Sequence, residues 1–324
     1  MAGGTTFDTD LATTTVDKYV RLAVADQIFT DHGFLRWVEE KVGVERLAGG
    51  DNLLIPLRTA EDAGGGSYSG YDTFDTTPSE SLTNAVARWK EYQQQIVANA
   101  FDVLRNNRTP EGILNMWTLK AEEALQSMRS KLNTHAQAAS VGNSGKNIQG
   151  IGLLVDSAGT VQGINRSTAT YWQANEVAVS GALAIDTSVG LLRTFLNCGT
   201  GSGDKSLPDL ILTDQDEYEA YEALLAPDIR HTSRTMGDGT FSGLAFKGAP
   251  FMYDRDAIAG VLYMLNSKSF GFAIHPDRDF MTTEIAQAKN GTLQQDAWIA
   301  HILAWPELFI MEPRRDGKLT GLTD

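Results

Sequence analysis

RTPEGILNMWTLKAEEALQSMRSKLNTH, residues 108–135, is the stretch on which the reading of the fold turns. Thr109 can cap a helix, and Pro110 suits the first helical position because the N–H it lacks is unpaired there anyway. Glu111 complements the positive end of the helix dipole. Leu114, Trp117, Ala121, Ala124, Leu125, Met128 and Leu132 then recur at three- and four-residue spacing, opposite Lys120, Glu123, Arg129 and Ser130. That is the period of a helix with one buried face. From Pro110 to His135 it spans roughly 40 Å at the usual rise per residue, long for an ordinary globular helix and suited to a structural spine.

Upstream, Asn52–Arg58 (NLLIPLR) reads as a strand and TNAVARWKEYQQQIV (83–97) as its return. Between them lies AEDAGGGSYSGYDTFDTTPSE (60–80), polar and tipped by Gly64, Gly65 and Gly66. Two strands around such a tip make a long hairpin, which buries too little apolar surface to be stable alone. It needs a partner surface; the bland alternative is a disordered surface loop. Further upstream, Val16, Val20, Val24, Ile28, Phe34, Leu35 and Val38 recur at mostly helical spacing, broken near Asp31, His32 and Gly33. Two short helices are expected, packed either on their own body or on a neighbouring copy.

Downstream, NSGKNIQGIGLLVDSAGTVQGINRS (143–167) is rich in Gly, Ser and Asn and marks a domain junction between about Val141 and Ile151. Ile185–Asn197 reads as a helix, PDLILT (208–213) as a short buried strand, and DQDEYEAYEALL (214–225) as a helix capped by acidic residues. GLAFKGAPFMYD, GVLYMLN and FGFAI are strand candidates bounded by turn residues. MTTEIAQA and AWIAHILAWPELFIMEP, separated by Lys289-Asn290-Gly291, suggest a final antiparallel pairing. The fold class is α+β, without repeats.

Composition narrows the function. With 42% hydrophobic and 21% charged residues the chain folds rather than remaining disordered. A net charge of -14 argues against a protein that coats phosphate backbones, though an acidic wall can confine nucleic acid without gripping it. The lone Cys198 excludes an intrachain disulfide and fits a reducing cytosol. MAGGTTFDTD has neither the basic nor the apolar block of a secretion signal, and no apolar run reaches membrane-spanning length. The chain is expected in the cytosol when made, so the N-x-S/T triplets at Asn107, Asn165 and Asn290 are chance matches.

The sequence carries no motif that commits it to chemistry. CGTGSGD (198–204) follows an expected helix, not a strand, and lacks the later glycine and the lysine of a phosphate cradle. His32, His135, His231, His275 and His301 stand in no metal-binding spacing. Cys198 served by a histidine is a conceivable nucleophile, but a free cysteine is more commonly a buried hydrophobe. Asp214, Asp216, Glu217, Glu219 and Glu222 spread around a helix and read as its solvated face. Asp254, Arg255 and Asp256 read as a turn held by ion pairs. No catalytic, cofactor or metal residue is expected.

Taken in order, GIGLLVDSAGTVQGINRSTATYWQA (150–174) after the long helix, PDLILTDQDEYEAYEALL (208–225), LAFKGAPFMYDRDAIAGVLYMLN (244–266), FAIHPDRDF (272–280) and WIAHILAWPELFIMEPRR (298–315) resemble the major capsid proteins of tailed bacteriophages, the Hong Kong 97-type fold. The resemblance covers nearly the whole chain. It implies an N-terminal arm (1–50), an extended loop (51–91), a peripheral domain with the spine helix (92–150), an axial α/β domain (151–266), and completion of the peripheral domain with its own loop and the C-terminus (267–324). It implies contacts between subunits at Gly64, Gly65, Gly66, Tyr68, Tyr71 and Phe74 of the extended loop and at Lys289, Asn290 and Gly291 near local three-fold axes. The spine helix would pack through Leu114, Trp117, Ala121, Leu125, Met128 and Leu132. Such subunits form hexamers and pentamers of an icosahedral head that encloses double-stranded DNA without reading its sequence. Portal, scaffolding and in some cases decoration proteins accompany them, and assembly takes place in the bacterial cytoplasm before the chain becomes part of the virion. The alternative is an encapsulin-like compartment, which shares the fold but encloses enzymes; a hydrolase using its abundant carboxylates is a more distant one.

Two departures from the family pattern carry expectations. The arm begins almost at Met1, without a long cleaved scaffold region, so a separate scaffolding protein is expected. Some relatives join subunits covalently through a lysine of the extended loop, whereas 51–89 contains none. Denaturing gels of mature particles are therefore expected to show one monomer band, and a ladder of covalent oligomers would contradict this.

Overall fold

The computed structural model describes residues 32–59, 66–73, 81–99, 101, 116–185, 189–199, 207–225, 244–290 and 293–323. They fall into two compact units, one built on Glu91–Asn133 and Ile274–Pro306, the other on Gly33–Lys90, Thr134–Ala273 and Glu307–Asp324. Of the helices expected before residue 44, the described part is α1 (Gly33–Trp37), which widens into a π turn over Val38–Val42; the rest lies outside the described residues. β1 (Val44–Arg46), β2 (Asn52–Arg58), β3 (Leu82–Arg88), β4 (Tyr92–Asn99) and the long α2 (Met116–Gln137) follow. α3 (Ile151–Leu154), β5 (Thr160–Val161), β6 (Ile164–Asn165), β7 (Asn175–Gly181), α4 (Leu191–Asn197), β8 (Leu210–Thr213), α5 (Gln215–Leu225), β9 (Ala245–Phe246), β10 (Ala249–Tyr253) and β11 (Val261–Leu265) form the middle of the chain. It ends in β12 (Phe270–Ile274), β13 (Met281–Thr282), β14 (Ala286–Asn290), β15 (Leu293–Ala304), β16 (Pro306–Ile310) and β17 (Gly317–Leu322).

In the larger unit a six-stranded sheet runs β7-β17-β11-β8-β10-β9. β8 explains its own place: LILT has no polar face, all four residues are buried, and it lies between antiparallel β11 and parallel β10, as a strand covered on both faces must. α4 and α5 supply part of that cover. Phe195 meets Phe246 edge-on at 5.4 Å and Tyr221 stacks on Phe251 at 4.3 Å, over Ile211, Leu262, Met264 and Leu319. α4 is shorter than the helix expected from Ile185, because Gly190 stands extended in front of Leu191. The C-terminal β17 pairs with β7 and β11 in this sheet, whereas the resemblance groups 267–324 with the peripheral domain. Its Gly317 admits no side chain: a Cβ there would stand 2.7 Å from the Cys198 sulfur.

In the smaller unit β15 pairs through Ala297–Ala304 with the whole of β4, and with β13 and β14 on its other side. α2 lays Ala124 and Met128 on Ile96, Ala300, Ile302 and Ala304, with Ala121, Leu125, Tyr92 and Phe280 at the rim. Its cationic residues reach the sheet too, Lys120 donating to the Val97 carbonyl at 3.0 Å and Lys131 to Gln94 at 2.8 Å. That occupies a carbonyl of β4 that a foreign strand could otherwise bind.

Two apolar runs that read as single strands are divided. The return strand 83–97 breaks at Trp89-Lys90-Glu91, so β3 stays with the hairpin while β4 joins β15. The run 297–313 breaks at Trp305, whose N–H donates to the Arg278 carbonyl and whose carbonyl accepts from His275, while Pro306 cannot donate to any ladder. Met128→Ala is expected to cost about 2–5 kcal/mol of unfolding free energy, and Gln126→Ala, on the exposed face, within about 0.5 kcal/mol of nothing. Denaturant unfolding of the two variants checks the packing direction of α2.

Candidate assembly surface

The hairpin alternates strictly. Leu53 stands opposite Ala87 and Ile55 opposite Ala85, and all four are buried. The alternate positions place Leu54 opposite Val86, Pro56 opposite Asn84 and Arg58 opposite Leu82 on the other face, where Leu54 is 63% and Leu82 78% exposed. The hairpin is held to the body by named bonds. Val86 N–H donates to the Gln162 carbonyl at 2.8 Å, the Trp89 indole to the Gly50 carbonyl at 3.1 Å, and the Lys90 ammonium to the Gly145 carbonyl at 2.6 Å. Gln162, at φ +52° in the turn between β5 and β6, continues the tie: with its amide oriented to satisfy both ends, it donates to and accepts from Ile310 of β16 at 2.9 Å.

Towards the tip, Ser69–Asp72 forms a turn in which the Ser69 amide donates to the Asp72 carboxylate at 2.7 Å and Asp72 N–H to the Ser69 carbonyl at 2.8 Å. The turn presents Tyr71 fully to solvent, with Tyr68 also exposed and open space around Gly66. Gly64, Gly65 and Phe74 lie outside the described residues. At the second expected contact, the backbone of Lys289 and Asn290 pairs with Gln294 and Leu293 past a bulge after Gln287; Gly291 lies outside the described residues. Of the spine positions, Met128 and Leu132 are buried and Ala121 and Leu125 half-buried. Leu114 lies outside the described residues, and of Trp117 the helical backbone alone is described. Leu54 and Leu82 were not singled out from sequence, though alternation in NLLIPLR carries the signal: Leu53 and Leu54 cannot face the same way.

The groups that could suggest catalysis are occupied structurally. Burial, and then the Asp316 carboxyl, push the Cys198 thiol above its ordinary range, so it carries almost no thiolate. Asp214 accepts from the Glu217 amide as the cap of α5; Glu217 itself is buried, which corrects its place on a solvated face, while Asp216, Glu219 and Glu222 are exposed. Asp254 is buried and accepts from the amides of Phe34 and Asp256 at 3.2 and 3.0 Å, organising the turn through backbone donors. Arg166, fully buried, donates to the carbonyls of Trp172 and Leu153 at 3.0 and 2.8 Å and to that of Leu154; burial pulls its pKa down to about 10 against the opposing pull of Asp156 and Glu176. Those carboxylates are bridged by Lys318 at 2.9 and 3.2 Å. Among the described residues no group of three His, Cys, Asp or Glu could hold a metal ion, and no helix is long and apolar enough to cross a membrane.

No family model and no curated protein matches the chain. Solved structures do. The chain is similar to one from the cyanophage A-1(L) capsid asymmetric unit, at 14% identity, with 97% of this chain and 99% of that one covered and a TM-score of 0.72. The capsid of Myoviridae phage XM1 gives 14%, 99%, 100% and 0.56 in the same terms. The SrpI encapsulin of Synechococcus elongatus PCC 7942 gives 8%, 97%, 95% and 0.59. The protein has the fold of these shell subunits over nearly its whole length, the Hong Kong 97-type α+β fold expected from sequence.

Replacing Leu54 and Leu82 together by Ser is expected to leave unfolding free energy within about 0.5 kcal/mol, since neither is buried within its own chain. Were the face a contact between copies, the same variant would sharply reduce the yield of sedimenting particles. A loss of stability without loss of assembly would show that the face is covered by its own chain.

Proposed function

We propose that this chain is the major capsid protein of a tailed double-stranded DNA bacteriophage and acts by self-assembly, not catalysis. The observation that carries the reading is the two-way coverage of the cyanophage capsid chain, so that almost no residue of either protein lies outside the shared fold. The exposed apolar face of the β2–β3 hairpin supports it, because an isolated subunit gains nothing from displaying Leu54, Leu82, Tyr68 and Tyr71.

In this reading 1–50 is the arm, 51–91 the extended loop, 92–150 and 267–324 the peripheral domain, apart from β17, which joins the six-stranded sheet of the axial domain, 151–266. Subunits form hexamers and pentamers of a head, with Gly64–Gly66, Tyr68, Tyr71, Phe74 and Lys289–Gly291 at contacts between copies. A separate scaffolding protein, a portal and in some heads a decoration protein are the partners. DNA is enclosed without sequence recognition, consistent with an overall charge of -14. The virion is the final location and the host cytoplasm the place of assembly. An encapsulin-like compartment is the second reading, favoured by the SrpI likeness at a TM-score of 0.59; the higher score and identity of the cyanophage chain favour the first.

Purified full-length chain is expected to elute as capsomers or larger particles, and electron micrographs to show closed, uniform shells when scaffold is present. Particles from the native source are expected to contain nuclease-protected double-stranded DNA. A compact stable monomer would overturn shell assembly, and particles filled with an enzyme would move the reading to the compartment.

A further inference from the structure

Glu307 is the anomalous group of the larger unit. It sits in β16, PELFI, all five residues of which are buried, and neither of its carboxyl oxygens has a hydrogen-bond partner. Asp316, equally buried, accepts from the Asn266 amide and the Ser269 hydroxyl. A buried carboxylate without partners is too costly to keep ionised, so such a group holds its proton.

The countercharge that acts on it is the Lys90 ammonium, from the connector two residues beyond β3; from the segment before α3 the Gln149 amide also favours the ionised form, though outside hydrogen-bonding geometry. Lys90 is engaged elsewhere, on the Gly145 carbonyl. This lysine therefore has two competing acceptors, a carbonyl it holds and a carboxyl it does not.

We propose that Glu307 and Lys90 form a proton-operated latch at the base of the hairpin. With Glu307 protonated, Lys90 stays on Gly145 and the strand β3 is tied to the 142–145 turn. When the proton leaves to solvent, the buried carboxylate competes for the ammonium, Lys90 transfers to it, and the Gly145 tie opens. The Trp89–Gly50 and Val86–Gln162 bonds flank this point and loosen with it.

Burial raises the Glu307 carboxyl from 4.5 to about 8 in this arrangement, against the smaller opposing pulls of Lys90 and Gln149. The sign follows: more protons are bound here than in an open or unfolded chain, so the latched state holds fully below about pH 4.5 and weakens as pH rises through about 8. The latch is a property of the single chain and does not depend on shell assembly.

Hydrogen exchange of the full-length chain from pH 6 to 9, corrected for the intrinsic pH dependence of exchange, tests this in peptides covering 82–91 and 142–150. Protection is expected to fall above about pH 8, by about tenfold per pH unit for a one-proton step. Glu307→Gln is expected to stay protected throughout. Lys90→Met is expected to be unprotected throughout, and it decides the matter should Glu307→Gln fail to fold. His135→Asn, changing the histidine whose backbone packs against Gly150, is expected to keep the step. A flat wild-type profile, persistence of the step in either latch variant, or its loss in the His135 variant would overturn the proposal.

Discussion

A two-stranded ribbon has two faces, and the body of its own chain can cover one of them. In this protein the covered face is Leu53, Ile55, Ala85 and Ala87, each branched residue standing opposite an alanine. The other face keeps Leu54 and Leu82 in water, at a cost of the order of 1–2 kcal/mol each relative to burial. Gains of that size are too small to hold two subunits together singly. In the proposed shell, repetition around a closed particle would make them sufficient, because every further contact within a partly built particle is intramolecular. The same smallness lets a wrong contact dissolve before it is trapped.

The hairpin can act this way only if its base is fixed. The larger unit supplies that base without disulfides or metal among its described residues, by placing charges and amides where loops meet. Arg166 gathers the carbonyls of Leu153, Leu154 and Trp172, so the turn-rich segment after α3 is ordered around one guanidinium. Lys318 joins Asp156 and Glu176, which return the compensating charge. The planar fork of arginine can satisfy several carbonyls at once, whereas a lysine there would leave donors and acceptors mismatched. Gln162 then passes this order to the hairpin, its carbonyl on Val86 and its side chain on Ile310.

How much of this was legible in the sequence follows from which signals are local. NLLIPLR and PDLILT give strands because alternation and apolar continuity are properties of the segment itself. The described part of the 110–135 helix is equally plain, since Ala124, Met128 and Leu132 share a stripe. Strand exchange between sheets is not local: 83–97 and 297–313 read as continuous, and what divides them is hydrogen bonding by Trp89, Lys90 and Trp305 to residues far away in sequence. Arg166 in a Gly- and Asn-rich run reads as a loop cation, and its burial depends on carbonyls that a sequence does not display. The tip residues Tyr68 and Tyr71 entered as candidates through the resemblance alone; Leu54 and Leu82 were not singled out, because which way a strand leucine faces depends on the cover supplied from elsewhere in the chain.

Glu307 shows the same limit from the opposite side. In PELFI a glutamate reads as the polar position of an alternating strand, yet all five residues are enclosed. β16 lies in a three-stranded sheet with β12, itself wholly buried, and its neighbour beyond is the Gln162 side chain instead of a further strand. An apolar residue of similar volume would satisfy packing there at less cost. Retaining an ionisable group in such a place makes the environment of β16 sensitive to one proton. The countercharge that acts on it is Lys90, at the point where the exposed ribbon joins the body, which gives the proposed latch a mechanical outlet: the segment tied down there is the one that would meet other copies in the proposed shell.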